Sequence, residues 1–265
     1  MKKRNILYSR PYMIMVGIQF LLTLYFLYFP VLYNPFSKTI LIAFSLFHLT
    51  SMETFFLLKE LSFLFFRIPL ILFGAGYLQS RYSSAEGIIL TRQSSLRAYY
   101  LRNLFDLFML SLINFIAILA ALGIFLLPDL LHGLSPLDLL WLRQMSPMLI
   151  LYPVSGFVLL LYINTFTLFT SKKYNVMIGL SLFLANMMLF KIHSSFVQSW
   201  VQYSPMAAQS FNYIGKQVPT EQLISNLGID LECKGNALIL FVSLAVQILV
   251  LSFITSKSIK NRDCL

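Results

Sequence analysis

The chain has 265 residues, 58% of them hydrophobic and only 11% charged, with a formal net charge of +10. A soluble domain is nearer half apolar and a quarter charged, so a water-facing globule is excluded, and several apolar runs are long enough to cross a hydrocarbon core about 30 Å thick. Those runs do not alternate, which excludes a β-barrel, and the surplus of cations reads as the cytoplasmic face of a membrane protein rather than a nucleic-acid footprint.

In chain order, Met1-Lys2-Lys3-Arg4 precedes an apolar run over 12–33. The run is too long for a signal-peptide core and no small-x-small cleavage site follows, so it is read as a retained first span. Two apolar stretches come next. Stretch 39–58 carries His48 and Glu53, and stretch 61–78 carries Arg67 and Pro69. A charge at mid-membrane costs at least about 2.5 kcal/mol on insertion scales, and each stretch contains one, so this penalty does not choose between them. The reading takes 61–78 as the second span and 39–58 as an interfacial or re-entrant segment. The alternative, with 39–58 crossing and 61–78 as an inner hairpin, stays open.

The following segment, 79–103, leads into the third span through "ILTRQSSLRAYYLRNL" (Ile89 to Leu104), with three arginines and no acid. Spans are then expected at 104–127, 147–170, 174–192 and 236–256. Residues 128–146 form an outer loop with Pro128, Gly133 and Pro136, where Trp141 suits the headgroup layer. Lys172 and Lys173 anchor a tight hairpin between the fourth and fifth spans. Segment 193–235 is expected as one or two short helices lying against the outer leaflet.

Charge fixes the count. With six spans, thirteen of the twenty basic residues fall on one side against only Glu86, Asp106 and Asp263, so that side holds the whole +10. With seven, the basic residues divide almost evenly and the positive-inside bias vanishes. The expected fold class is therefore all-α integral membrane, a single domain over 1–265 with six spans and both termini cytoplasmic. The arginine-rich stretch becomes a cytoplasmic connection between spans two and three. Cys233 would lie outside and Cys264 inside, a membrane apart and unable to form a disulfide.

No chemistry is legible. There is no GxxxxGK[ST] phosphate loop and no HExxH, nor an EExxxR run of the kind found in CAAX-type membrane proteases. His48, His132 and His193 are scattered, and the cysteines lack metal-ligand spacing. Ser155-Gly156 resembles a rhomboid serine only in its dipeptide, without a suitable histidine. The spans hold almost no acids of the kind that couple transport to protons. Asp106 sits at the cytoplasmic end of the third span and Lys191 at the outer end of the fifth. In the basic connection, Ser83-x-x-Glu86 is a capping-box pattern, with Glu86 suited to the positive end of a short helix. Such a helix offers a surface to another protein, or its cations to anionic lipid.

These residues resemble the membrane subunits of type-2 ABC exporters. Those have six spans and cytoplasmic termini, and after the second span an acid, a glycine, an apolar pair and a serine–arginine step. Here the matching residues are Glu86, Gly87, Ile88-Ile89, Leu90, Ser95 and Arg97, then Tyr99-Tyr100 and Arg102. The likeness is closest to small permeases of peptide or bacteriocin export and immunity systems. The resemblance implies a coupling helix over this stretch that contacts an ABC ATPase subunit, through Ser83, Glu86, Gly87, Ile88, Ile89, Arg92 and Arg97. It also implies a second permease subunit, identical or related, a bacterial plasma-membrane location and no cofactor in this chain, ATP and Mg2+ belonging to the partner. The chain itself would not be an enzyme. Other readings are a non-transporting immunity or interaction protein, a secondary transporter, or a membrane enzyme.

Overall fold

The computed structural model describes residues 10–31, 65–83, 96–133, 139, 142–143, 145–170, 172–189, 195–209 and 236–262. Among them the chain is helical, with no strand. The helices are α1 (Arg10–Val31), α2 (Ile68–Gly74), α3 (Tyr77–Ser83), α4 (Leu96–His132), α5 (Met148–Thr167), α6 (Asn175–Leu189), α7 (Ser195–Val201) and α8 (Ala237–Arg262), with 3-10 turns at Lys172–Tyr174 and Ala207–Gln209. Four of them, α1, α4, α5 and α8, are long and apolar enough to cross a membrane, and α6 is a shorter apolar helix. A backbone in lipid must satisfy its own hydrogen bonds, which is why such apolar runs become helices even though Phe, Ile and Val are only middling helix formers.

Helix α5 is the hub. Across its span 72% of the residues are buried, against 17% for α8 and 22% for α1. It packs against α2, α3, α4, α6, α8 and the turn Ala207–Gln209. The close approach to α4 runs through small residues. A side chain at Gly156 would overlap Ser111 Oγ, and that hydroxyl donates to Pro153 O at 2.8 Å. Small residues that let backbones approach are the usual device where lipid supplies no hydrophobic force between helices. Aromatic pairs extend the seam, with Phe115 stacked on Tyr152 at 5.0 Å and Phe108 edge-on to Phe157 at 5.7 Å.

Contacts along the helices fix their relative directions. Arg67 lies over Tyr152, Gly74 against Leu160, and Leu78 bonds to Asn164, so α2–α3 runs parallel to α5. Thr165 meets Thr255, and Leu159 and Val246 line the same cavity, so α8 runs the same way. The pairs 111–153 and 108–157 make α4 antiparallel to them. Gln79 meets Asn175 and Ile71 meets Gly179, which reverses α6 relative to α2. Tyr28 stacks edge-on to Phe125 at 5.1 Å. Electrostatically, Tyr12 faces Asp106, so α1 is parallel to α4. Successive passes therefore alternate in direction through the bundle.

Several boundaries differ from the sequence reading. Helix α4 is longer than 104–127. It takes in Arg97, Tyr99, Tyr100 and Arg102 from the basic connection and 128–132 from the outer loop, with Pro128 inside the helix. A helix can run past the lipid because its backbone stays bonded there, and long basic stems reach the interface while their heads stay in water. The region of 61–78 that is described forms two short helices rather than one, broken at Ala75–Gly76 and continuing to Ser83. Of the segment 193–235, only 195–209 is described. Pro205, Met206, Ala207, Ala208 and Gln209 are buried in the bundle, against α5 and α8. Stretch 39–58 lies outside the described residues.

Candidate functional site

Of the residues expected to contact an ATPase, Ser83 closes α3 and Arg97 is the second residue of α4. Glu86, Gly87, Ile88, Ile89 and Arg92 lie outside the described residues. The two stems that carry that stretch are well defined, and they meet. Tyr82 and Tyr99 pack edge to face at 5.5 Å, and Tyr99 OH donates to Arg81 O at 3.5 Å. Arg81 Nε donates to Tyr77 OH at 3.1 Å, and Tyr77 OH donates in turn to Asp106 Oδ2 at 2.9 Å. The Arg81 guanidinium also lies 5.3 Å from the centre of the Tyr77 ring. Burial opposes the Arg81 charge, but Tyr77, Tyr99 and Asp106 favour it more and hold its pKa above the ordinary arginine value. Asp106, one of the few acids at this end, is thus tied into the base of the basic segment.

Behind the stems, a polar seam locks α3 to the hub. The break at Ala75–Gly76 leaves helix-end groups that need partners. Asn164, buried on α5, supplies them from one side chain. Its Nδ2 donates to Gly74 O at 2.9 Å and to Leu160 O at 2.8 Å, while its Oδ1 accepts from Leu78 N at 2.9 Å. A single carboxamide therefore caps the end of α2 and the start of α3. Gly76 turns the chain there with φ of +74°, a conformation glycine adopts without penalty. One turn on, Gln79 Nε2 donates to Thr170 O at 2.5 Å, and Asn175 Nδ2 donates to Gln79 Oε1 at 2.6 Å. These bonds clamp α3 to the connection between α5 and α6. Tyr100 OH reaches Ser252 O at 2.9 Å and ties the start of α4 to α8.

Compared with protein-family models, with curated proteins and with solved structures, the chain matches none. The site must therefore be read from its own geometry.

At the opposite end of α2, Arg67 is 1% exposed. Its Nε donates to Gln209 Oε1 at 2.7 Å and its Nη2 to Gln209 O at 3.4 Å, and its guanidinium lies 5.3 Å from the Tyr152 ring centre. The arginine that made 61–78 expensive as a span thus holds the 205–209 turn in the bundle. Ser155, the residue with a rhomboid-like neighbour, donates to Tyr152 O at 2.8 Å and is fully buried, a structural hydroxyl. Among the described residues, no three His, Cys, Asp or Glu side chains group as metal ligands.

Sequence reasoning did not single out Gly76, Gln79, Asn164 or Asn175. Their signal was available: carboxamides inside apolar runs are costly unless bonded, and each here has a long-range partner. The sequence gives no way to tell which.

Proposed function

We propose that this chain is the membrane subunit of an ATP-driven exporter of the type-2 ABC class. It works with a separate ATPase and with a second permease subunit in the bacterial plasma membrane, and its cargo is apolar or amphipathic. Six crossings with cytoplasmic termini underlie this reading, and the alternating directions of the helices support it. The observation that carries it is the closed base of the basic segment. The ends of α3 and α4 are pinned together by Tyr82, Tyr99 and Arg81, and α3 is clamped to α5 and α6 by Asn164, Gln79 and Asn175. A segment carried on such stems transmits a push. When a partner's nucleotide-driven closure displaces Glu86 to Ile89, α3 moves as a lever and α5, the hub, moves with it. The missing phosphate-loop motif fits a motor on another chain.

A broken helix is also a feature of ion-coupled carriers, where freed backbone groups hold the ion. Here the Gly74 carbonyl and the Leu78 amide are taken by Asn164, and no acid contributes to the break among the described residues, so the observation favours a sealed joint over an ion site.

The test is association with the motor. The full chain, expressed with its genomic neighbours, is expected to co-purify with a soluble protein carrying a phosphate-loop motif. Gly87→Arg or Ile88→Asp is expected to reduce the co-purified ATPase about tenfold or more, as central interface residues do, while leaving the chain in the membrane. Undiminished association and export in both variants would remove the coupling assignment.

A further inference from the structure

A cavity of about 570 Å³ opens between α5, α6, α7 and α8. Its walls are Leu159, Leu182, Val246 and Pro205, with Trp200 and Tyr203 among the aromatic lining. Gln247 Nε2 donates to Tyr203 O at 2.8 Å and to Ser243 Oγ at 3.0 Å, and so fixes the 203–205 turn as one wall. Trp200 is 65% exposed.

Two features define what this cavity accepts. First, no lining residue carries a charge, so an ionised ligand would lose hydration without compensation. Second, polar side chains line it, among them Tyr162, Asn186, Trp200 and Gln247, and the buried Gln247 Oε1 has no hydrogen-bond partner among the described residues. The Asn186 Nδ2 is spent on Leu182 O at 2.9 Å, which leaves its Oδ1 to face a ligand. The hydroxyl and the indole N–H can donate, and the carboxamide oxygen can accept. The complement is a neutral head that both accepts and donates, attached to an apolar body. The volume falls within the range of small-molecule sites and suits one acyl chain with its head better than a folded peptide.

We propose that this cavity is a binding site for a neutral, single-chain lipid with a hydroxyl- or amide-bearing head. Tyr162 and Asn186 hold the head, and Leu159, Leu182 and Val246 take the chain. That the lipid is the exported cargo rests on the export reading. The binding itself does not, and it is measured on the purified chain with no ATPase present.

The chain has two tryptophans, Trp141 and Trp200, so Trp141→Phe leaves Trp200 as the sole indole reporter. In nanodiscs of this variant, a monoacylglycerol brominated on its chain is expected to quench Trp200 saturably. The matching brominated fatty acid, an anion, and its methyl ester, which cannot donate, are expected to bind about tenfold more weakly or worse, having lost pairing with the polar groups that line the cavity. Tyr162→Phe and Asn186→Leu are each expected to weaken the monoacylglycerol about fivefold, the scale of one hydrogen bond, with unchanged elution and melting as the check on folding. Non-saturable quenching that is equal for the three lipids would mean simple contact with the bilayer and would overturn the site. Unaltered affinity in both variants would do the same. So would absence of quenching because a second copy of the chain covers Trp200.

Discussion

Gly76→Ala is expected to remove most of the folded protein recovered from detergent-solubilised membranes. Two terms act together. The backbone at 76 has φ of +74°, and holding a residue with a Cβ there costs about 1–3 kcal/mol. The added carbon would also overlap Asn175 Nδ2 and lie 2.7 Å from its Cγ. Asn175 has little room to retreat, since it is buried and its amide is bonded to Gln79. Overpacking of this kind costs about 1–3 kcal/mol more. The pair Gly76→Ala with Asn175→Ala separates the terms, because it relieves the overlap and leaves the strain. Recovery is expected to be partial, read as the monodisperse fraction by size exclusion and as the melting midpoint. Wild-type recovery in the single variant would show that the chain does not turn at 76 as described.

Asn164→Leu is expected to be as damaging, for a different reason. The substitution keeps the volume and removes the cap shared by α2 and α3. The Leu78 amide and the Gly74 carbonyl then lose their partner, and each stranded buried group costs about 1–3 kcal/mol. No water lies in the hydrocarbon to take over. The adjacent Thr165→Val is the control. Its loss breaks the 2.8 Å bond with Thr255, but Thr255 keeps its bond to Leu251 O at 2.6 Å. Nothing is stranded, and the cost is expected near the typical interhelical value of about 0.6 kcal/mol. A melting shift for Asn164→Leu no larger than for Thr165→Val would contradict the capping role. Because the clamp is also the proposed lever, variants that survive at Asn164 are expected to lose transport while retaining the ATPase.

The bundle was legible in outline. The long apolar runs at 12–33, 104–127, 147–170 and 236–256 each correspond to a helix, because in lipid apolar length almost dictates helix. Ends were less legible. Leu96 to Asn103 and Pro128 to His132 read as loop from their charges and proline, yet they extend α4, since leaving the hydrocarbon does not oblige a helix to stop. The break at Gly76 was missed because a lone glycine between apolar residues is common. Its meaning depends on Asn164, which caps the Gly74 carbonyl from 90 residues further along the chain. The burial of 205–209 was missed for a similar reason: a half-apolar outer segment suits the leaflet surface equally well until Arg67 is seen to hold Gln209. Pattern carries the period of a helix. It does not carry which polar side chain, far along the chain, completes the bonds of another.

The most direct test of the proposed arrangement is thiol labelling in intact cells, using the two native cysteines. A membrane-impermeant maleimide is expected to modify Cys233 and to reach Cys264 only after the cells are permeabilised. Equal modification of both in intact cells would contradict six crossings with the basic segment on the cytosolic side, and with it the docking of a motor there.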